Sequence, residues 1–146
     1  MVISIMKYIF LDIDGVLNAV GDKEIVFNMM EVNKLELFIN FAMEMEANVV
    51  ITSSRRIYKE EVKMIKLALS KIKNVNVLSE KRIHKHRGNE IEWYITENKI
   101  NNFVIFDDND DMISDKPLLN NHFILLDYLV GLTKEDIMKA KEILKL

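Results

Sequence analysis

Asp12 and Asp14 stand one residue apart at the end of the apolar run Tyr8-Ile9-Phe10-Leu11, with Gly15 directly behind them. Two carboxylates so placed suit nucleophilic and acid–base work, and a divalent cation would offset their mutual repulsion. Three further polar groups follow other apolar runs. Thr52-Ser53-Ser54 supplies hydroxyls behind Asn48-Val49-Val50-Ile51. The stretch Lys81 to Arg87 supplies cations, with His84 and His86 among them. Asp107-Asp108-Asn109-Asp110-Asp111 then follows Asn102-Phe103-Val104-Ile105-Phe106, and like charges at that density point to a hard cation.

The elements that must position these groups can be read from periodicity. Short β-branched and aromatic runs alternate with longer amphipathic stretches, the pattern of βαβ units around a parallel sheet. Ligands bind such sheets in the crevice beyond the carboxyl ends of the strands, which is where both aspartates of the first run fall. Strands are expected at 7–11, 48–51, 75–78, 102–106 and 122–126. Residues 15–27, with Gly15, Gly21 and the β-type piece Ile25-Val26-Phe27, suit a loop or small hairpin. A helix should begin near Asn28 and bury Val32, Leu35, Ile39, Ala42 and Met45. Ser54 is expected to cap a second helix with Val62, Ile65, Leu69 and Ile72 inside. Gly88-Asn89 should open a third helix through Ile91, Tyr94 and Ile95, and Thr133 with Asp136 should begin a closing one.

The 146 residues, 49% of them apolar, suit one domain over 1–146 with a true core, and no linker divides them. With no cysteine there is no disulfide framework or thiolate metal site, which fits a reducing cytoplasm and gives the His84/His86 pair little claim on zinc. Lys7 and the acidic pair interrupt the N-terminal apolar stretch, so neither a signal peptide nor a membrane span is expected. A formal charge of -3 gives no global attraction to nucleic acid or anionic lipid, so such binding would need a local patch. No obligate protein partner is evident.

The order of polar groups, Asp-x-Asp-Gly after the first strand, Thr/Ser after the second, a basic residue before the fourth and acids after it, resembles the haloacid dehalogenase-like (HAD) superfamily. More narrowly, Leu11 to Asn18, Val50 to Ser54, Arg87-Gly88-Asn89-Glu90-Ile91, Phe106 to Asp111 and Gly131-Leu132-Thr133 are similar to small capless phosphatase domains found alone or in Swiss-army-knife RNA-repair proteins. The resemblance implies a Rossmann-like three-layer α/β/α sandwich with a parallel sheet of about five strands and no large cap domain. It also implies a magnesium-dependent phosphatase working through an aspartyl-phosphate.

Asp12 would then be the nucleophile, and Asp14 the group that protonates the leaving oxygen and later activates water. Thr52 would bind a phosphoryl oxygen, with Ser53 as its competitor, and Gly15, Ser53 and Asn18 would border the phosphate. Either Lys85 or Arg87 would balance the phosphate charge; Arg87 matches the narrower family, lysine the wider superfamily. Asp12 and the Asp14 backbone carbonyl, with one of Asp107 or Asp108, would complete an oxygen-only magnesium site. Asp108 is the first choice, and Asp107 with Asp111 fits an alternative acid spacing. One departure stands out, since the narrower family typically continues its second motif with Trp-Arg where this chain has Arg55-Arg56.

Neither interval that houses caps in this superfamily is long enough here for a large one, which implies an open cleft and favours a nucleic-acid end or a phosphoprotein, although capless enzymes also act on small molecules such as nucleotides. Two competing readings use the same residues differently. A receiver-like phosphoacceptor module would carry its acceptor after a later strand, and a catalytically silent binding module would be expected to have lost the first acidic pair.

Overall fold

The computed structural model describes residues 6–19, 26–27 and 30–144. Five strands, β1 (Lys7–Leu11), β4 (Asn48–Ile51), β5 (Val75–Val77), β6 (Asn102–Asp107) and β7 (Phe123–Leu125), form one sheet in the order β5-β4-β1-β6-β7. Every neighbouring pair runs parallel. Buried on both faces, β1, β4 and β6 can be apolar at nearly every position instead of alternating.

The chain moves outward from β1 to β4 and β5, then returns past β1 to β6 and β7, so β1 is where the winding reverses. Helices α1 (Val32–Met45), α2 (Lys59–Ala68) and α4 (Lys134–Ile143) bury Phe38, Ile65 and Ala140 in the core built on Ile9, Leu11 and Phe106. Helix α3 (Arg87–Glu97) and the segment through Ile113 and Leu119 cover the opposite face, around Phe10, Phe103 and Ile105. The result is a three-layer Rossmann-like α/β/α arrangement with five parallel strands and no cap-sized unit among the described residues. No described helix is long and apolar enough to cross a membrane.

Several boundaries shift for physical reasons. The hairpin pairs β2 (Val26–Phe27) with β3 (Met30–Glu31), which holds residues 30–31 extended, so α1 starts at Val32; Asn28, Gly21 and Ile25 lie outside the described residues. Ser53, not Ser54, is the cap after β4: its side chain accepts from the Arg55 N–H at 3.2 Å and opens a short 3-10 turn over Ser54–Ile57 before α2 begins. Leu69 and Ile72 lie beyond the end of α2 yet remain in the core. Helix α3 begins at Arg87, one residue before Gly88. His122 precedes β7 in a second 3-10 turn, stacked on Phe103 with its Nδ1 2.8 Å from the Phe103 carbonyl oxygen. Thr133 and Asp136 form the expected capping box on α4.

The register of α3 over the sheet depends on a close backbone approach at Gly88. A methyl group there would overlap the Met112 carbonyl, and the Gly88 N–H donates to the Asp111 carbonyl at 2.8 Å. Gly88→Ala should therefore push the N-terminus of α3 off the 107–113 loop and lower stability by about 1–3 kcal/mol, read from denaturant unfolding. An unchanged midpoint would show that the helix start can move freely.

Candidate active site

Three adjacent strand tips, β4, β1 and β6, bring the first groups together. The ladder continues past the strands: Thr52 N–H donates to the Leu11 carbonyl at 2.9 Å and Asp12 N–H to the Phe106 carbonyl at 3.1 Å. Thr52, Asp12 and Asp107 therefore sit side by side. Asp107 is fully buried and Asp12 only 5% exposed, so their charges face each other with little water between. Oxygens of Asp12, Asp107 and the half-buried Asp108 lie within 4.8 Å of one another, a grouping able to hold a metal ion.

Arg87 is the cation that enters this cluster. Its Nη1 lies 2.7 Å from Asp107 Oδ2 and 3.4 Å from Asp12 Oδ1. Asp107 also accepts from the Asn109 N–H at 3.0 Å. Burial, then the neighbouring Asp107, still holds Asp12 well above the usual carboxylate range. Burial likewise raises Asp107 despite Arg87. For Arg87 itself, burial disfavours the charge, but Asp107 and Asp12 outweigh it and hold the guanidinium above its ordinary value.

Arg87 reaches the cluster because α3 is anchored on the acidic loop. Asp111 accepts the Arg87 N–H at 2.9 Å and pairs with His86 Nδ1 at 2.6 Å, so its carboxylate caps the helix and is absent from the three-carboxylate cluster. Burial pushes Asp111 up, yet the Arg87 N–H and His86 together bring it below the usual range. Asp110 is occupied locally, accepting the Ser114 N–H at 2.7 Å and the Ser114 hydroxyl. Lys85 is exposed, its carbonyl accepting from Arg82 Nη2 at 3.2 Å, and no contact between its side chain and the acids occurs among the described residues. Lys81, Arg82 and His84 are exposed too.

Gly15 has two reasons to be glycine. Its φ is +80°, and an added Cβ would overlap the Asp108 carboxyl. Asn18 closes this turn, accepting from Gly15 N–H at 2.9 Å and donating to Asp14 Oδ1 at 3.2 Å. Thr52 Oγ1 is buried with no hydrogen-bond partner among the described residues, a cost that a bound oxygen would remove.

Two arginines of the second motif have roles the sequence did not reveal. Arg56 is buried with Glu90 (Nη2 to Oε2, 2.5 Å) and donates to the Thr52 carbonyl at 2.7 Å, tying the tip of β4 to α3. Arg55 forks onto Asp14, Nε to Oδ2 at 2.7 Å and Nη2 to Oδ1 at 2.9 Å. That fork, and then Asn18, outweigh burial and hold Asp14 below the usual carboxylate range. The only signal for Arg55 was its departure from the Trp-Arg pattern; for Glu90 it was the spacing three residues after Arg87.

A doubly wound parallel sheet whose reversing strand ends in Asp-x-Asp, with a hydroxyl on one neighbouring tip and acids on the other, defines a haloacid dehalogenase-like domain. Members of that class are generally hydrolases. The profile of one family within it matches residues 8–137, and the chain belongs to that family, described as the HAD domain in Swiss Army Knife RNA repair proteins. No curated protein sequence matches the chain.

The burial of Asp12 has a stability consequence. A carboxyl whose folded pKa is raised contributes stability below its ordinary value, near 3.9, and loses it as pH rises through the folded value. At neutral pH in chelator, Asp12 is therefore a liability. Asp12→Asn should raise Tm there and flatten its fall as pH rises above the ordinary carboxylate range. A lower Tm for the variant in chelator would show that the Asp12 charge is compensated in the fold.

Proposed function

We propose that this protein is a magnesium-dependent phosphomonoesterase that works through an aspartyl-phosphate on Asp12. The observation supporting this most is the convergence of Asp12, Asp107 and Asp108 with Arg87 at the carboxyl ends of β1 and β6. An all-carboxylate set suits a hard cation, and excess buried negative charge gives it a reason to bind. Asp12, the backbone carbonyl of Asp14, and Asp108 or Asp107 would hold magnesium, which when bound supplies positive charge to the carboxylates and to a phosphoryl oxygen.

The chain's own groups then divide the work. An Asp12 oxygen attacks phosphorus, the ester P–O bond breaks, and Asp14, protonated once its pair with Arg55 opens, gives that proton to the departing oxygen. Asp14 next takes a proton from water, which attacks the intermediate and returns Asp12 with inorganic phosphate. Arg87 holds Asp12 and shares the phosphoryl charge; Thr52 Oγ1, buried and unpartnered among the described residues, donates to a phosphoryl oxygen. Gly15 keeps the turn close enough for backbone N–H groups to reach the phosphate.

The substrate proposed is a phosphorylated nucleic-acid end, met in a reducing cytoplasm. The family's description in RNA repair proteins, the absence of a cap-sized unit among the described residues and the exposed basic loop of Lys81, Arg82 and Lys85 favour it over an enclosed metabolite.

Wild-type protein should release phosphate from a 3′- or 5′-phosphorylated oligonucleotide with magnesium and stop in chelator. Asp12→Asn should retain less than about one-thousandth of the rate, because an amide cannot form the acyl-phosphate. Turnover near wild type would rule out the covalent route. In a magnesium titration, Asp108→Asn should raise the concentration needed for half-maximal rate at least about tenfold, the scale on which even outer-shell partners act. Asp110→Asn, whose carboxylate is spent on Ser114, should change it far less. A larger effect from Asp110 than from Asp108 would move the metal to other residues.

A further inference from the structure

The fork between Arg55 and Asp14 is built for exchange. Arg55 follows the cap residue Ser53, which fixes its backbone at the tip of β4, and its side chain crosses to the loop after β1. All three guanidinium nitrogens are engaged: Nε and Nη2 by Asp14, Nη1 by Glu61 Oε1 on α2 at 2.8 Å. The Asp14 side chain is 51% exposed and that of Arg55 29%, so the pair lies at the rim, where ion pairs add little net stability. Glu61 holds Arg55 through Nη1, a nitrogen that Asp14 does not use.

This arrangement conflicts with the task proposed for Asp14. Both its oxygens accept from Arg55, and Oδ1 also accepts from Asn18, an arrangement that suits the carboxylate and opposes the protonated form a leaving oxygen needs, because an O–H facing an N–H donor cannot accept from it. The pair must open for Asp14 to act. A planar guanidinium fork fits phosphate as well as carboxylate, so an anion on the leaving group could replace Asp14 as its partner.

We propose that Arg55 is a specificity-determining residue that binds a second phosphate, or a phosphodiester, carried by the leaving group, and that this exchange releases Asp14. The proposal rests on the phosphatase reading above and narrows its substrates to phosphate esters with a neighbouring phosphate, as at the end of a nucleic-acid strand. Glu61 then acts as a positioning residue, keeping the guanidinium over the site during the exchange.

The test compares adenosine 3′,5′-bisphosphate with adenosine 3′- and 5′-monophosphate, with magnesium present. Calorimetric binding is measured on Asp12→Asn and on the double variant Asp12→Asn/Arg55→Gln; kcat/KM is measured with native Asp12, on the wild type and on the single variants Arg55→Gln and Arg55→Lys. Asp12→Asn should bind the bisphosphate at least about tenfold tighter than the better monophosphate, the scale of charge-assisted hydrogen bonds, and Arg55→Gln should bring that ratio to within about twofold. The same loss should appear in the kcat/KM ratio, with Arg55→Lys restoring part of it. A merely structural role would weaken all three probes together and leave the ratio intact. A ratio that survives Arg55→Gln, or no preference with Arg55 present, overturns the proposal. An Arg55-dependent binding preference without turnover of any probe by the wild type leaves Arg55 as the anion-reading residue and overturns the phosphatase reading instead.

Discussion

Two neighbouring strands of this sheet end in carboxylates that are almost wholly removed from water, and only one arginine reaches between them among the described residues. Left alone, Asp12 and Asp107 repel at close range where solvent screens poorly, and the fold must supply compensation. Most of the surrounding structure serves to hold Arg87 there. Helix α3 starts at that residue, its first N–H groups are taken by Asp111, and Gly88 lets the helix approach the acidic loop. One turn on, Glu90 accepts both Arg56 from the tip of β4 and the Ile83 N–H from the basic loop. The cation, the helix and three strand tips are thus one hydrogen-bonded unit. A buried pair such as Arg56–Glu90 is weak evidence for net stability, but losing one partner would strand a charge. Its value here is positional.

The sheet and its helices were legible because periodicity and length separate strands from helices when both are well formed. Asn48-Val49-Val50-Ile51 begins and ends as a strand where its apolar run does, and Thr133 with Asp136 caps α4 through a local motif that needs no tertiary information. Two of the misplaced boundaries trace to strand pairing and to competition between similar residues. Pairing of Met30 and Glu31 with β2 delays α1, and Ser53 outcompetes Ser54 as a cap because the chain enters a 3-10 turn first. In the site, the acidic pair and the downstream acids could be identified from strand-end position alone. Which acid does what could not. Asp107, Asp108, Asp110 and Asp111 are close together in sequence, yet two join the Asp12 cluster, one binds Ser114 and one caps α3, divisions made by backbone direction after β6.

The same distinction explains why Lys85 and Arg87 looked interchangeable in the sequence. Two residues apart in a basic loop, they differ in that Arg87 is the first residue of α3 and Lys85 lies before the helix, on the exposed side. Charge type was readable; the helix start that aims one side chain inward required the Gly88 approach and the Asp111 cap, neither visible without the fold.

The two aspartates of the first motif end in opposite environments, and the contrast has a mechanistic logic. Asp12 is buried, flanked by backbone ladder bonds on both sides and confronted by fixed charges, so its position is set before any ligand arrives. Asp14, two residues on, is half exposed and held by side chains alone, from Arg55 and Asn18. A group that attacks phosphorus gains from a fixed geometry, because misplacement is penalised in the transition state. A group that must meet different leaving oxygens gains from partners that can be exchanged. Rigid backbone pairing on one side of a two-residue spacing and exchangeable side-chain pairing on the other therefore separates what the site does from what it accepts, and it places the adjustable part on residues such as Arg55 that lie outside the buried cluster.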